Sequence, residues 1–493
     1  MFYENFQNLF NQKWNKEPET LIIRSNIMCL KCVQCGSKFP FYPPKNKCEK
    51  CGGSLEYTVN LPKNRKINFS GKLRFWRYRS LLPPVQHIVS LGEGGTPLRK
   101  AERLAERLGL MELYLKDETR NSTNSFRDRA AALLTSNAID LKHDTLICAT
   151  NGNLGASLAA YSAKAGLICH VIVPKFVDVG KLAQMLVYDA VIEESGETVD
   201  DSIRRAEALA DETGWYQATA ELNPLVIEAQ KTIAYEVYEQ FGVPDWFIVS
   251  MGGGGTIYSI WKGFKELEQL GITEGLPRMI GVQPEGCAPI AKTLLEDRSE
   301  PIKVAKPFTR ALAVLVANPL QSKLAIKAIE ESKGLPLTVT DTEIFKAERQ
   351  IAKLEGMFAE PASSATIAAL KKLIKKRKIS KNDSVACLIT GSGLKATNVL
   401  QALTKKQKTA GIGLEISTKE KILRIISRKD TYGYDLWKKL GKTMTRAAVY
   451  QHLNELTEKG LIVGYAKNGK KFFKITQRGK KVLRGIDALK LLF

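Results

Sequence analysis

The chain has 493 residues, 44% hydrophobic and 25% charged, a globular composition with ample core rather than a disordered one. No run approaches the roughly 18 apolar residues of a membrane span, and the N-terminal MFYENFQNLFNQKWNK lacks the apolar core of a signal peptide; no membrane partner and a cytoplasmic location are therefore expected. Net charge is +23, of which +15 falls in Lys405–Phe493, with 22 Lys and Arg against 7 Asp and Glu. That asymmetry fits either a polyanion-binding segment or a basic solvated surface.

Five of the nine cysteines lie between Cys29 and Cys51. Cys32–Cys35 and Cys48–Cys51 form two CxxCG knuckles 12 residues apart. The glycine after each pair permits the tight turn that aims backbone N–H groups at sulfur. Four thiolates at this spacing suit a closed, structural zinc site. Cys29 also stands CxxC to Cys32, but its pairing lacks the glycine, so the ligand set is open to that extent.

Further on, VSLGEGGTPL (Val89 to Leu98) reads as a glycine turn before a helix at Lys100, or as backbone passing close to a cleft. Leu115 to Leu134, LKDETRNSTNSFRDRAAALL, predicts a short strand, a polar turn, and a helix opening near Ser125. Ser125 is placed to cap that helix, with Asp128 in its first turn. Strand TLICAT leads through the loop NGNLGAS into helix LAAYSAKAG, so that loop amides face outward at a helix start. FIVSMGGGGTIYSIWKGF predicts a buried strand, a four-glycine loop and a helix. Gly252, Gly253, Gly254, Gly255 and Thr256 then supply amides suited to a phosphate. Alternating apolar strands and amphipathic helices predict a mostly parallel α/β sheet.

Together these motifs resemble the pyridoxal-phosphate enzymes of fold type II, the tryptophan-synthase-β type, and threonine synthases in particular. The resemblance covers about residues 29 to 403 and includes GKLAQ (Gly180 to Gln184), NPLVIEAQKT (Asn223 to Thr232), GVQPEGCAPI, EGMFAEPASSATIAAL and CLITGSGLKAT. It implies pyridoxal phosphate as cofactor. It implies that Asn153 contacts the phenolic oxygen, and that Thr150, Asn151, Gly152 and Leu154 line a carboxylate pocket. It also implies that Thr390 faces the pyridine nitrogen, with Ser392 nearby, and that the cysteine knuckles begin the chain as a zinc ribbon.

Leu154 and Gly155 replace hydroxyl residues of the family's loop, and three further positions depart from the family pattern. NSTNSFRDRA carries Arg127 where the family's NPTGSFKDRG has the Schiff-base lysine. Val226 stands where an arginine grips substrate phosphate, and Glu221 stands where the family has a serine. A guanidinium keeps its proton to about pH 12 and offers no lone pair to an aldehyde. A dianionic phosphate needs cationic donors, not a valine and a carboxylate. Lys116 and Lys231 are the lysines that would have to reach the cofactor in place of residue 127.

Beyond the linker TKKQKTAGIGLE (residues 404–415), the sequence predicts a helix at Thr418–Ser427, a second at YGYDLWKKLG, and a third at TRAAVYQHLNELTEKG with Val449, Leu453 and Leu456 facing a core. Strands LIVGY and FFKIT flank an Asn468-Gly469 turn, and a last helix runs from about Arg478 to Leu492. Three helices and a hairpin make a winged helix, which resembles the PadR- and MarR-like regulators. Thr445, Arg446, Tyr450 and Gln451 would then enter a major groove, and Lys467, Lys470 and Lys471 on the wing would meet phosphates.

The expected organisation is a zinc ribbon at 26–60, a two-subdomain α/β body at 61–403, a linker at 404–416 and a winged helix at 417–493. The expected function is a catalytically impaired sensor of an amino acid or cofactor adduct, with pyridoxal phosphate bound noncovalently, acting on DNA as a homodimer. The alternative is an active threonine synthase, or a related lyase or replacement enzyme, using O-phosphohomoserine or another amino acid.

Overall fold

A computed structural model describes residues 28–41, 45–59, 69–298, 300–396, 416–441, 444–467, 470–480 and 482–483. The chain divides into two compact units, Met1–Gln401 and Ala402–Phe493. Among the described residues, no helix is long and apolar enough to cross a membrane.

The first unit opens with a small antiparallel sheet in which Met28–Cys32 sits between Lys38–Pro40 and Leu55–Val59. It lies against the body through Glu56, which accepts from Tyr258, and through the carbonyl of Tyr57, which accepts from Lys262. The body holds two sheets. The larger has strand order Leu335–Val339, Arg278–Pro284, Trp246–Ser250, Ser384–Ile389, Glu112–Asp117, Leu98–Lys100, all parallel except the last. The smaller is parallel throughout: Val191–Glu194, Ile168–Val173, Thr145–Ala149, Tyr216–Gln217. Central strands Thr145–Ala149, Trp246–Ser250 and Ser384–Ile389 are buried at every position, which is why they read as unbroken apolar runs.

Two boundaries differ from the sequence expectation. Lys100 ends a β-strand, and the helix after it begins at Glu102. Helix Asn153–Ala165 starts inside the glycine loop, five residues before LAAYSAKAG. Gly152 makes the early start feasible: its φ is +116°, and any Cβ there would collide with the Lys181 side chain.

The segment Val89 to Leu98 does not border the cleft. Gly94 and Gly95 instead donate backbone N–H groups to Asn121 Oδ1 and Glu236 Oε1. Those acceptors belong to a fully buried ionic network. Arg129 reaches Glu118 at 2.7 and 2.9 Å and Glu236 at 2.6 and 2.8 Å, and Lys116 Nζ lies 2.7 Å from Glu236. Burial opposes the Glu236 charge, but Arg129 and Lys116 outweigh it and hold its carboxyl far below the usual range. The network joins strand Glu112–Asp117 to helices Arg127–Asp140 and Leu225–Phe241. Arg129→Met would leave two buried carboxylates short of their main cation. It is expected to cost about 3–5 kcal/mol, read as a lower denaturant midpoint.

In the second unit, helices Ile416–Arg428, Gly433–Lys439 and Arg446–Glu458 lie against strands Ile462–Lys467 and Lys470–Ile475. Val449, Leu453 and Leu456 are buried as the periodicity requires. The strands exceed their expected length, and Thr431–Tyr432 adds a third strand beside Lys470–Ile475. The Asn468-Gly469 turn, the linker up to residue 415 and most of the last helix fall outside the described residues; residues 477–480 and 482–483 are helical.

Candidate functional site

A cleft of about 910 Å³, measured out to its mouth, opens in the body. Part of its polar lining comes from the carboxyl ends of strands in both sheets: Thr150 and Asn151 after Thr145–Ala149, Glu221 soon after Tyr216–Gln217, Ser250 closing Trp246–Ser250, and Thr390 just after Ser384–Ile389. Strand ends in an open α/β sheet are where ligands enter.

Residues Gly252 to Thr256 line one wall, and helix Gly255–Gln269 begins there with its amides unspent. The glycines are needed for space. Gly254 has φ +98°, a Cβ on Gly253 would stand 2.9 Å from Glu221 Oε1, and one on Gly255 would overlap Gln321. Three lining side chains carry a buried polar atom with no partner: Asn153 Oδ1, Gln230 Nε2 and Ser250 Oγ. Unspent amides, a cradle free of Cβ atoms and three unmatched buried groups fit an anionic, polar ligand such as a phosphate ester.

Arg127 lies on the wall at the first residue of helix Arg127–Asp140. That helix opens two residues later than the sequence implied. Phe126 is its N-cap residue, while Ser125 Oγ accepts from the Arg127 N–H at 3.3 Å. Asp128 is in the first turn, but its carboxylate turns back to Thr123. Among the described residues, Arg127 has no carboxylate oxygen within 4.0 Å; its guanidinium rests over the Phe126 ring. Burial pulls its pKa below the usual guanidinium value, and Glu221 and Glu360 pull it back.

Among the described residues no lysine lines the cleft. Lys116 is committed to Glu236, and Lys231 to Glu228 and Glu266. Lys181 and Lys395, both buried, do not line it either. Lys181 is paired with Asp178 and Glu360, and Lys395 donates to the Thr123 carbonyl at 2.8 Å.

Of the other expected contacts, Thr150, Asn151, Asn153, Leu154 and Thr390 all reach the cleft. Gly152 and Ser392 do not line it. Gly152 gives room to Lys181, and Ser392 caps a short 3-10 turn. Val226 and Glu221, the altered phosphate-grip positions, both line the cleft.

Sequence reading missed Glu360. It accepts from Asn153 Nδ2 at 3.0 and 3.2 Å and from Thr390 Oγ1 at 2.9 Å, joining two expected cofactor contacts through one carboxylate. Its signal was its place just before PASSATIAAL, where proline starts helix Pro361–Lys375. Gln230 was also missed, though it follows Val226 by one helical turn and must share its face.

At the N-terminus, the sulfurs of Cys32, Cys35, Cys48 and Cys51 lie within 4.8 Å of one another. Gly36 and Gly52 have φ near +70°, and the Cys35 N–H approaches Cys32 Sγ at 3.4 Å. Cys29 is outside the cluster, 3.0 Å from Thr58 Oγ1.

In the second unit, Thr445 caps helix Arg446–Glu458 by accepting from Ala448 N–H at 3.2 Å. Arg446, Tyr450 and Gln451 are exposed beside it. Arg446 lies over the rings of Tyr434 and Trp437, with its central carbon 4.9 and 4.8 Å from their centroids. Lys471 is exposed on the hairpin and passes over Phe473. Lys467 and Lys470 face each other across the ladder end.

Residues 89–391 match the family described as pyridoxal-phosphate dependent enzyme, and residues 422–485 match the transcriptional regulator PadR-like family. The chain is 38% identical to the threonine synthase of Methanocaldococcus jannaschii over 407 residues, covering 80% of this chain and all of that protein. It is also 38% identical to the threonine synthase of Methanosarcina acetivorans over 374 residues, covering 74% of this chain and 92% of that one. Among solved structures, the processed form of threonine deaminase isoform 2 from Solanum lycopersicum has the same body fold, with TM-score 0.55 at 24% identity over 64% of this chain and 84% of that one.

Proposed function

The chain belongs to the pyridoxal-phosphate-dependent enzyme family, in its threonine-synthase branch, with a PadR-like segment at its end; from that premise we propose that it is a ligand-responsive DNA-binding regulator rather than a threonine synthase. The observation that carries the proposal is Arg127 on the cleft wall, with no lysine lining the cleft among the described residues.

Pyridoxal phosphate, when bound, supplies an aldehyde and an electron-withdrawing ring. The residues present fit its phosphate, through the amides of Gly252 to Thr256, and its polar ring edge, through Asn153 and Thr390. They do not fit covalent attachment. Arg127 has no lone pair to offer and cannot carry a proton from carbon as a neutral amine can. Glu360 accepts from both Asn153 and Thr390 and so orients the two side chains together. Cleft residues such as Thr150 and Asn151 orient a ligand carboxylate. Val226 and Glu221 withdraw the cationic grip that a substrate phosphate requires.

The PadR-like segment is the output. Thr445, Arg446, Tyr450 and Gln451 present a polar helix face to a major groove, and Lys467, Lys470 and Lys471 meet phosphates. A homodimer reads two half-sites. Ligand in the cleft changes DNA affinity to the extent that it binds one DNA-binding state better than the other. The test is operator affinity with and without pyridoxal phosphate and amino acids. A shift of at least tenfold is expected; affinity indifferent to every ligand refutes regulation through the cleft.

The cysteine cluster holds one structural zinc. Four thiols at tetrahedral spacing, with no open position, stabilise the knuckles and leave no site for catalysis. Metal analysis of purified protein is expected to give one zinc per chain, and Cys48→Ser to lose it. Metal-free native protein would contradict this.

A further inference from the structure

Resting on the reading of the cleft as a ligand site, we propose that Glu221 is a recognition residue for an ammonium group. The ligand is then a zwitterion: an anion on the glycine loop or Arg127, and a primary ammonium on Glu221.

Three charged features surround one space. The amides of Gly252 to Thr256 favour an anion at the start of helix Gly255–Gln269. Arg127 adds a cation that, among the described residues, has no carboxylate oxygen within 4.0 Å. Glu221 adds a carboxylate beside Gly253, close enough that a Cβ there would stand 2.9 Å from it. Among the described residues, that carboxylate accepts a hydrogen bond only from its own backbone N–H and has no cation within 4.0 Å. Arg127 and Glu221 each sense the other's charge, yet among the described residues they form no ion pair within 4.0 Å.

The same space is lined by unmatched polar atoms on side chains that are themselves deeply buried: Asn153 at 7% exposure, Gln230 at 1% and Ser250 at 6%. These atoms mark a place built for a polar ligand. A ligand bearing only anions would satisfy the loop and Arg127 but would face Glu221 with nothing to offer it. Burial already pushes the Glu221 carboxyl up, with Arg127 opposing, so an uncompensated anion nearby is doubly unfavourable. An ammonium placed against Glu221 completes the charge pattern. Two sources carry this chemistry: a phosphorylated pyridine with an aminomethyl group, or a free α-amino acid.

The experiment compares pyridoxamine 5′-phosphate with pyridoxine 5′-phosphate on the full-length protein by calorimetry. The two probes share ring and phosphate and differ only in a CH2NH3⁺ or CH2OH group. Wild type is expected to bind the amine at least tenfold more tightly. Glu221→Gln should bring the two within about twofold, and Glu221→Asp, which keeps the charge, should retain most of the preference. Displacement of pyridoxine phosphate by α-amino acids would assign the ammonium to a free amino acid; no displacement would assign it to the aminomethyl compound. Equal wild-type affinities, or a preference that survives Glu221→Gln, would overturn the proposal and leave the ligand-site reading intact. Failure of both phosphates to bind would overturn that reading and this one with it.

Discussion

Arg127→Lys is expected to turn a protein that borohydride leaves unlabelled into one carrying a single pyridoxyl group, on residue 127. The change is all or none because it rests on one lone pair. Residue 127 already lies on the wall, at the start of helix Arg127–Asp140, in the cleft that the glycine loop also lines. A lysine there can give up its proton when desolvated; an arginine cannot. The mass of the labelled peptide and a new near-visible absorption band are the readouts. Threonine synthase activity is expected to stay at least a hundredfold below that of an authentic enzyme even so. Val226 and Glu221 still deny a substrate phosphate its donors, and the loss of charge-assisted bonds is worth several kcal/mol. Adding Val226→Arg and Glu221→Ser should recover part of it. A labelled but still inactive triple variant would place the remaining barrier elsewhere in the cleft.

Removing residues 404–493 is expected to abolish binding to duplex DNA while leaving the body folded. The removed segment carries +15 of the net +23, and Met1–Gln401 is a compact unit with its own sheets and core. In the full-length protein, affinity should fall by about a thousandfold between roughly 50 and 200 mM salt if about six phosphates are contacted, because each contact releases counterions. Lys471→Ala should weaken all sequences alike and flatten the salt slope by about one contact. Arg446→Ala should act differently. It removes a guanidinium held over Tyr434 and Trp437, and so disturbs the start of the helix as well as its charge. Unchanged DNA binding by the truncated body would refute the assignment of this segment.

What the sequence made legible follows from how each signal arises. Buried parallel strands are continuous apolar runs, and the four-glycine loop sits between such a strand and a helix, so that wall of the cleft could be read directly. The third helix of the C-terminal unit announced its core through Val449, Leu453 and Leu456. Other features had no local signature. Nothing in VSLGEGGTPL distinguishes a turn beside a cleft from one resting on a buried ionic network, because its partners, Asn121 and Glu236, are 27 and 141 residues away. Glu360 looked like an ordinary residue before a helix. Its tie to Asn153 spans 207 residues and exists only in the fold. The start of helix Asn153–Ala165 was placed late because glycine and asparagine argue for loop, whereas Gly152 is used there to let Lys181 pass close beneath.

Noncovalent binding of pyridoxal phosphate in this cleft is tested by treating the wild-type protein, loaded with pyridoxal phosphate, with borohydride and mapping the products by peptide mass spectrometry. No cleft peptide is expected to carry a pyridoxyl group, and the cofactor is expected to leave fully on dialysis. A stoichiometric pyridoxyl group on any lysine would contradict noncovalent binding and return the protein to the enzymes.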